Sequence, residues 1–212
     1  MFNFDRYDFP FMQKFYLAQN FFYSLPHFAN FEHMCYHVRQ LKTREELEDW
    51  YDASFRPETY YQPSIFNGFE HPDTPVITNR DTHLIDLYSW GLMPSWAKDS
   101  SFRKNTLNAQ IETVAEKPSF RDLTTNRCLV LVDGFYEWQW LDAKGKIKQK
   151  YFMSQPDEIP FALAGLYNTW TDKYSGETLS TFTILTTEAN ALMAEIHNTK
   201  KRMPVVLSKK QE

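Results

Sequence analysis

The residue best suited to acid–base chemistry is Glu137, which lies in the run Asp133-Gly-Phe-Tyr-Glu137-Trp138. On a strand, side chains alternate between the two faces, so Glu137 faces away from the aromatic residues on either side of it. A carboxyl group desolvated in such a strand has a raised pKa, which suits it to transfer protons near neutral pH. The alternative is an ordinary glutamate on the solvent face of a half-buried strand, and the pattern alone leaves both open.

A second candidate is His197, which follows a short apolar helical pattern that we expect Thr187 to cap. Histidine can carry protons because its ordinary pKa lies near neutrality. At the end of a helix it can equally be a solvated surface residue, where the helix dipole favours its cation.

The third candidate is Asn108, in the run Leu107-Asn108-Ala-Gln-Ile-Glu112. A side-chain amide both donates and accepts hydrogen bonds, so it can orient an amine or polarise a carbonyl. It can also serve only as a cap or turn residue. If this segment is helical, Glu112 lies four residues on and shares the face of Asn108.

The fourth candidate is Cys35, which directly follows Met34. Inside a chain it is a small, usually buried residue. If Met34 is the initiator and is removed, Cys35 carries a free α-amine that titrates near neutrality beside a thiol. Such an aminothiol condenses with aldehydes to a thiazolidine ring. We expect Cys128, in the middle of an apolar run, to be a core residue.

Composition excludes several classes of protein. The net charge is −4, so no global basic field indicates nucleic-acid binding, and any such site must be a local patch. No apolar run is long enough to cross a membrane. Two cysteines cannot form a disulfide framework, which favours a reducing, cytoplasmic compartment. The histidines lack metal-ligand spacing and the glycines are too scattered for a phosphate loop, so we expect no metal and no cofactor.

The surrounding pattern predicts a mixed α+β domain with mainly antiparallel strands. Thr43 and Glu46 form a capping box that opens a helix over 43–53. We expect loop with short extended pieces over 56–80, one or two short helices around Pro118 in the mixed segment 105–124, and a turn at Asp133-Gly134. The predicted strands are 85–90, 128–132, 135–141, 147–153, 161–166, 181–187 and 203–207.

Residues 1–34 differ from the rest of the chain. They hold twelve of its 36 aromatic residues and no Val, Ile or Trp. They show no sustained period and no secretory signal. We interpret residues 1–33 as a removable or extraneous prefix and residues 34–212 as the working domain.

Five pieces in order resemble one family, the SOS-response-associated peptidase (SRAP) domain, which includes abasic-site shield proteins. Besides Met34-Cys35, the matching pieces are Trp90-Gly-Leu-Met-Pro94-Ser-Trp96, Asn108-Ala-Gln-Ile-Glu112-Thr, Asp133-Gly-Phe-Tyr-Glu137-Trp138, and Ile196-His197-Asn with Arg202-Met-Pro-Val205.

The resemblance implies a single compact α+β domain around a strongly curved, barrel-like antiparallel sheet with short flanking helices. It implies that Cys35 attacks the aldehyde of an abasic site in single-stranded DNA and forms a stable thiazolidine crosslink. Asn108 then positions the amine or the aldehyde, Glu137 is the acid–base group, and His197 assists proton transfer at the sugar. The family also implies thiol autopeptidase activity, lyase-like imine chemistry and a role in the SOS response.

The resemblance also implies a DNA groove that contains Trp96, Gln110, Lys117, Arg121 and Arg202. Trp96 offers a stacking surface and the cations hold phosphates. The family usually has Gly-Arg after its cysteine and Arg at position 110, where this chain has Tyr36-His37 and Gln110. Two outcomes are open: the affinity for DNA is lower than in the family, or Arg39 and Lys98 replace those phosphate contacts.

Three functional hypotheses follow. The leading one is a monomeric cytoplasmic enzyme that crosslinks to abasic single-stranded DNA. The second is a non-covalent single-strand-binding module with an inert Cys35. The third is a peptidase that acts on its own prefix or on other substrates.

The first prediction concerns the N-terminus. We expect active protein from its source cell to begin at Cys35, because a preceding segment would block the α-amine. Intact-mass measurement and N-terminal sequencing test this. Active protein that retains Met1 would contradict it and favour the binding module.

Overall fold

The computed structural model describes residues 36–212. This part of the chain forms two α-helices, α1 (Arg44–Tyr51) and α2 (Ala191–Ile196). Short 3-10 helices span Gly68–Glu70, Ser100–Asn105, Arg121–Leu123 and Pro156–Glu158. The strands are β1 (His37–Gln40), β2 (Ser54–Phe55), β3 (Ser64–Asn67), β4 (Asp73–Thr78), β5 (Asp81–Trp90), β6 (Asn108–Gln110), β7 (Arg127–Val132), β8 (Gly134–Trp140), β9 (Lys148–Met153), β10 (Phe161–Thr171), β11 (Thr178–Glu188) and β12 (Arg202–Pro204).

Five strands close into a barrel-like ring. Its order is β11, β10, β7, β4 and β5, and β5 returns to β11 through a short parallel pairing. The remaining pairings in the ring are antiparallel. The family resemblance predicted a curved, mainly antiparallel α+β domain, and this prediction is confirmed. Closure leaves few sheet edges exposed, which suits a domain of this size.

The long strand β11 organises the site. Its first half pairs with β10 and β5, whereas its second half pairs with β6 on one edge and β12 on the other. Thr186 is the residue at which β6 and β12 overlap, since it pairs with Gln110 in β6 and Pro204 in β12. Segments far apart in sequence therefore meet around one strand.

A second sheet has the order β3, β1, β8 and β9. The chain enters it from β7 through a bend at Asp133. The predicted turn at Asp133-Gly134 is therefore a corner between two sheets rather than a connection within one sheet. The Asp133 carboxylate accepts from Arg39 Nε at 2.6 Å and from the Leu41 amide at 2.8 Å. Glycine is required at position 134 because a Cβ there would collide with the Phe152 ring. These contacts attach β1 to the corner and define where β8 begins.

The apolar core lies inside the ring and between it and the second sheet. The main buried cluster includes Val76, Trp90, Val130, Phe135 and Phe182. A separate cluster packs under α1, around Leu47 and Ile85. The capping box predicted for α1 is present in full. The predicted β8–β9 hairpin is also confirmed.

Two local predictions are wrong and a third understates the strand content, because long-range pairing overrides local pattern. The stretch 56–80, predicted as loop with short extended pieces, contains β4, a strand of the ring that pairs with both β5 and β7. Pro75 is tolerated there because the β7 pairing starts only at Val76. Asn108 begins β6 rather than a helix, so Glu112 does not share a helical face with it. Asn190, not Thr187, caps α2.

The second prediction concerns the corner contact. Arg39 also donates to Glu158 at 2.6 Å, and its side chain is only 11% exposed. Arg39→Met should lower the free energy of unfolding by about 3–5 kcal/mol, because it leaves Asp133 charged and buried. Chemical denaturation measures the loss.

A matched control is Arg56→Met, because Arg56 lies 3.7 Å from Asp86 in an exposed pair. We expect that change to cost less than about 1 kcal/mol. An equal, small effect of both substitutions would show that the Arg39 network does not stabilise the fold.

Candidate active site

Glu137 lies on the inner side of β8 and is only 2% exposed. Strand β8 is flanked by β1 and β9, with Glu137 opposite Tyr151 and Tyr136 opposite His37. The alternative of a solvent-facing glutamate is therefore wrong. Because β1 begins beside this position, the carboxyl group lies close to the N-terminal end of the described chain.

His197 follows the last residue of α2 and is also only 2% exposed. The expected solvated position is therefore wrong. Its ring Nδ1 lies 2.7 Å from the carbonyl oxygen of Arg202. A carbonyl can only accept, so Nδ1 carries a proton, and the neutral ring has its accepting lone pair on Nε2. The ring is thus held in the tautomer that can take up a proton at Nε2.

The end of α2 is attached to β8 by amide side chains. Gln139 donates to the Glu195 carbonyl at 2.9 Å. Asn198 accepts from the Trp140 amide at 3.1 Å and donates to the Trp140 carbonyl at 2.8 Å. Since Gln139 shares the face of Glu137, this attachment brings the segment that carries His197 onto the same face of β8.

No role was predicted for Gln139 or Asn198. The one sequence signal for this contact is the amide residue directly after His197, and amide residues are common at helix ends. Their bonding to β8 shows how His197 is held.

Asn108 starts β6 and pairs with Ile184 of β11. On the other edge of β11, strand β12 carries Arg202, whose carbonyl holds His197. Asn108 and His197 therefore both lie beside the second half of β11. The end of α2 that carries His197 is in turn attached to β8, the strand that carries Glu137.

Arg202 lies beside this group and is largely covered, with 12% of its side chain exposed. Its Nη2 donates to Glu112 at 2.7 Å and to the Thr186 carbonyl at 2.8 Å. Desolvation is the largest single influence on Glu112 and acts to raise its pKa. The hydrogen bonds from Arg202, a backbone amide and Thr187, together with the positive charge of Arg202, outweigh it, and the pKa is below its ordinary value. Arg202 therefore supports the β6 and β12 ends as well as offering positive charge.

A family model described as SOS response associated peptidase (SRAP) matches residues 34–212. The chain belongs to this family. A relative in Bacillus subtilis, abasic site processing protein YoaM, is 36% identical and aligns with 84% of this chain and 77% of its own length. Abasic site processing protein HMCES of Gallus gallus is 32% identical over 71% of this chain and 52% of its own.

A solved structure from Bacteroides thetaiotaomicron has the same fold. It superposes with a TM-score of 0.74 at 34% identity, covering 84% of this chain and 79% of that protein. The barrel-like arrangement is thus that of an SRAP domain.

The SRAP nucleophile predicted at Cys35 lies outside the described residues. The described chain begins with Tyr36, whose carbonyl accepts from the Gly68 amide at 2.8 Å. The Tyr36 ring contacts Phe69, with centroids 4.4 Å apart. Cys128 is buried in the core as predicted, and burial raises the pKa of its thiol far above the usual value. Cys128 is therefore unsuited to act as a nucleophile.

The predicted DNA-contacting residues of this SRAP chain lie mostly at the surface. Trp96 is 49% exposed and donates to the Pro118 carbonyl at 3.2 Å, which brings Lys117 close to its ring. Arg121 is one turn further on, and its amide donates to the Lys117 carbonyl. Gln110 is exposed on β6.

Of the two residues considered as replacements for the missing phosphate contacts, one is exposed and the other is enclosed. Lys98 is exposed next to Trp96 and lines the same depression as Lys104. Arg39 is enclosed by Asp133 and Glu158, so the expectation that it binds phosphate is wrong. His37 packs edge-on against Trp138, with centroids 4.9 Å apart.

Within residues 36–212, no group of three or more His, Cys, Asp or Glu side chains is placed to hold a metal ion. Neither described α-helix has the length and apolar character needed to cross a membrane.

Proposed function

We propose that this SRAP domain is an abasic-site processing enzyme that forms a covalent thiazolidine crosslink between Cys35 and abasic single-stranded DNA. The observation that carries the proposal is the burial of Glu137 and His197 on adjoining elements beside the start of β1. A peptide bond joins residue 35 to Tyr36, which limits how far Cys35 can lie from that strand end. The names of the bacterial and vertebrate relatives, abasic site processing proteins, support abasic sites as the substrate.

The proposed reaction has two bond-forming steps. The α-amine of Cys35 adds to the C1′ aldehyde of the ring-opened sugar, and loss of water gives an imine. The thiolate then adds to the imine carbon, and the nitrogen takes up a proton to complete the five-membered ring. One water leaves overall, and no oxidant or reductant is needed. Reversal takes the same steps backwards.

The buried side chains suit separate roles in this sequence. Glu137, when protonated, can donate to the sugar or the departing hydroxyl, and when ionised it can activate water for reversal. His197 can assist ring opening through Nε2, because Nδ1 is committed to the Arg202 carbonyl. Asn108 can orient the α-amine or the aldehyde oxygen with its amide.

The N-terminal segment must be absent for this chemistry, since an amide nitrogen at residue 35 is not nucleophilic. We propose that residues 1–33 are a prefix and that the functional chain starts by loss of Met34, or by the thiol autopeptidase activity that the family name suggests. In that activity the Cys35 thiol attacks the preceding carbonyl and water completes the cleavage.

Local surface chemistry supports a single-stranded partner. An indole as exposed as Trp96 can stack on a base only where that base is unstacked from its neighbours. Lys117, Arg121 and Lys98 supply positive charge around it, despite the net charge of −4. Arg202 contacts Glu112 and both the carbonyl and the hydroxyl of Thr186 through Nη2, so Nη1 of its guanidinium retains donors for a phosphate. We expect a monomer that works in the cytoplasm on DNA exposed by damage.

The third prediction tests the covalent step. Cys35→Ser retains the α-amine but loses the thiol, so an imine can form and the ring cannot close. We expect only a labile, borohydride-reducible adduct on abasic single-stranded DNA, where wild type gives a heat-stable crosslink. Denaturing gels after heating measure the difference.

Cys128→Ser is the matched control, since it removes the other thiol, which lies in the core. It should crosslink as wild type does. A heat-stable crosslink from Cys35→Ser would assign the chemistry to another residue, and a wild type that binds without crosslinking would favour the non-covalent module.

The fourth prediction separates charge from stacking in DNA binding. Arg202→Gln should lower the slope of log affinity against log salt by about 0.7, the value for one phosphate contact on a single strand. Trp96→Ala should weaken binding by about 1–3 kcal/mol per lost base stack and leave the slope unchanged. Fluorescence anisotropy at several salt concentrations measures both, and an unchanged slope in Arg202→Gln would remove its phosphate role.

A further inference from the structure

The buried indole of Trp90 contacts both sides of the proposed site. We propose that Trp90 is a positioning residue that sets Asn108 relative to the backbone directly after Cys35. This inference rests on the proposed function, because it assigns a role in the same reaction. Trp90 is fully buried and does not face the substrate, so it acts through other residues.

The first contact leads to Asn108. Trp90 Nε1 donates to the Leu107 carbonyl at 2.7 Å, and the Ile184 amide donates to the same oxygen at 3.2 Å. That carbonyl belongs to the peptide group that joins Leu107 to Asn108. Two donors from different elements fix the plane of this peptide and hence the direction in which the Asn108 side chain leaves the backbone.

The second contact leads to the N-terminal end of the described chain. Gly68 lies on the indole face, where a Cβ would be 3.2 Å from Cδ2, Cε2 and Cε3 of Trp90. The Gly68 amide donates to the Tyr36 carbonyl at 2.8 Å. The indole face therefore sets how closely Gly68 approaches, and Gly68 in turn holds the residue bonded to Cys35.

The indole itself is held on several sides. It stacks on Phe182, with centroids 5.9 Å apart and an interplanar angle of 20°. The backbone amide of Trp90 donates to the Pro72 carbonyl at 3.0 Å. The carbonyl oxygen of Trp90 lies 2.8 Å from His71 Nδ1. Because the ring is fixed in this way, it can keep Asn108 and Gly68 at a constant separation, which a loosely packed side chain could not do.

The decisive variant is Trp90→Phe, which keeps an aromatic ring and removes the N–H donor. We expect single-turnover crosslinking at saturating abasic DNA to slow by about 10- to 100-fold, since a misplacement of about 1 Å in a reacting group has an effect of this order. DNA affinity should change less than about twofold, because the indole lies away from the predicted groove.

A double-mutant cycle separates positioning from general loss of stability. If Trp90 acts through Asn108, then Trp90→Phe should slow an Asn108→Ala protein by less than about threefold. Leu47→Ala is the control for destabilisation, because Leu47 is fully buried in the separate cluster under α1. At a temperature where all variants are folded, it should crosslink at the wild-type rate.

If the Trp90→Phe protein folds, its crosslinking rate tests the positioning role directly. A wild-type rate in that variant, or an equal slowing in the Asn108→Ala background, would overturn the positioning role while leaving the proposed function intact. If Trp90→Phe does not fold, Gly68→Ala replaces it in the same cycle, because its Cβ displaces the ring while retaining the N–H. A wild-type protein without any crosslink would overturn the proposed function and this inference together.

Discussion

The ion pair between Arg39 and Asp133 is the contact on which the rest of the site depends. It joins β1 to the corner where the chain leaves the ring and enters the second sheet. A buried ion pair is costly to desolvate, so its main contribution here is to select one arrangement of β1 on β8. That arrangement brings the start of β1 beside Glu137. The left-handed backbone at Asp157 and Glu158, with φ of 57° and 51°, carries the second carboxylate to Arg39.

Some charged residues near the site hold strands in place, and others are available for contacts with DNA or for proton transfer. Arg39 and Glu112 are engaged in ion pairs that hold strands in place. Glu137 and His197 are both buried, as residues that transfer protons in active sites commonly are. Positive charge near Trp96 lies on short, exposed segments. A chain with net negative charge can therefore present a local cationic surface without a basic domain.

Local elements were predictable, and pairings between distant segments were not. The α1 capping box and the β8–β9 hairpin follow from residues within a few positions of each other. Strand β4 was expected only as a short extended piece within a loop, because Pro75 and the polar residues around it weaken the strand pattern, and its pairing with β5 and β7 makes it a strand of the ring. Asn108 was placed in a segment expected to hold short helices, because nothing near it in sequence reveals that β11 lies alongside.

By itself the sequence determined the family and the order of its motifs, and it pointed to Asn108, Glu137 and His197 as candidate site residues. It also determined that Cys128 belongs to the core, since a continuous apolar run allows little else. Only the tertiary structure decided that Glu137 and His197 are both buried, that they lie on one side of β8, and that Arg39 is enclosed by acids. The physical reason is that strand alternation predicts which side chains share a face but not which face is covered. Which face is buried, and which side chains come close to each other, depends on the elements that pack on the strand. Here those elements lie up to about a hundred residues away in the sequence.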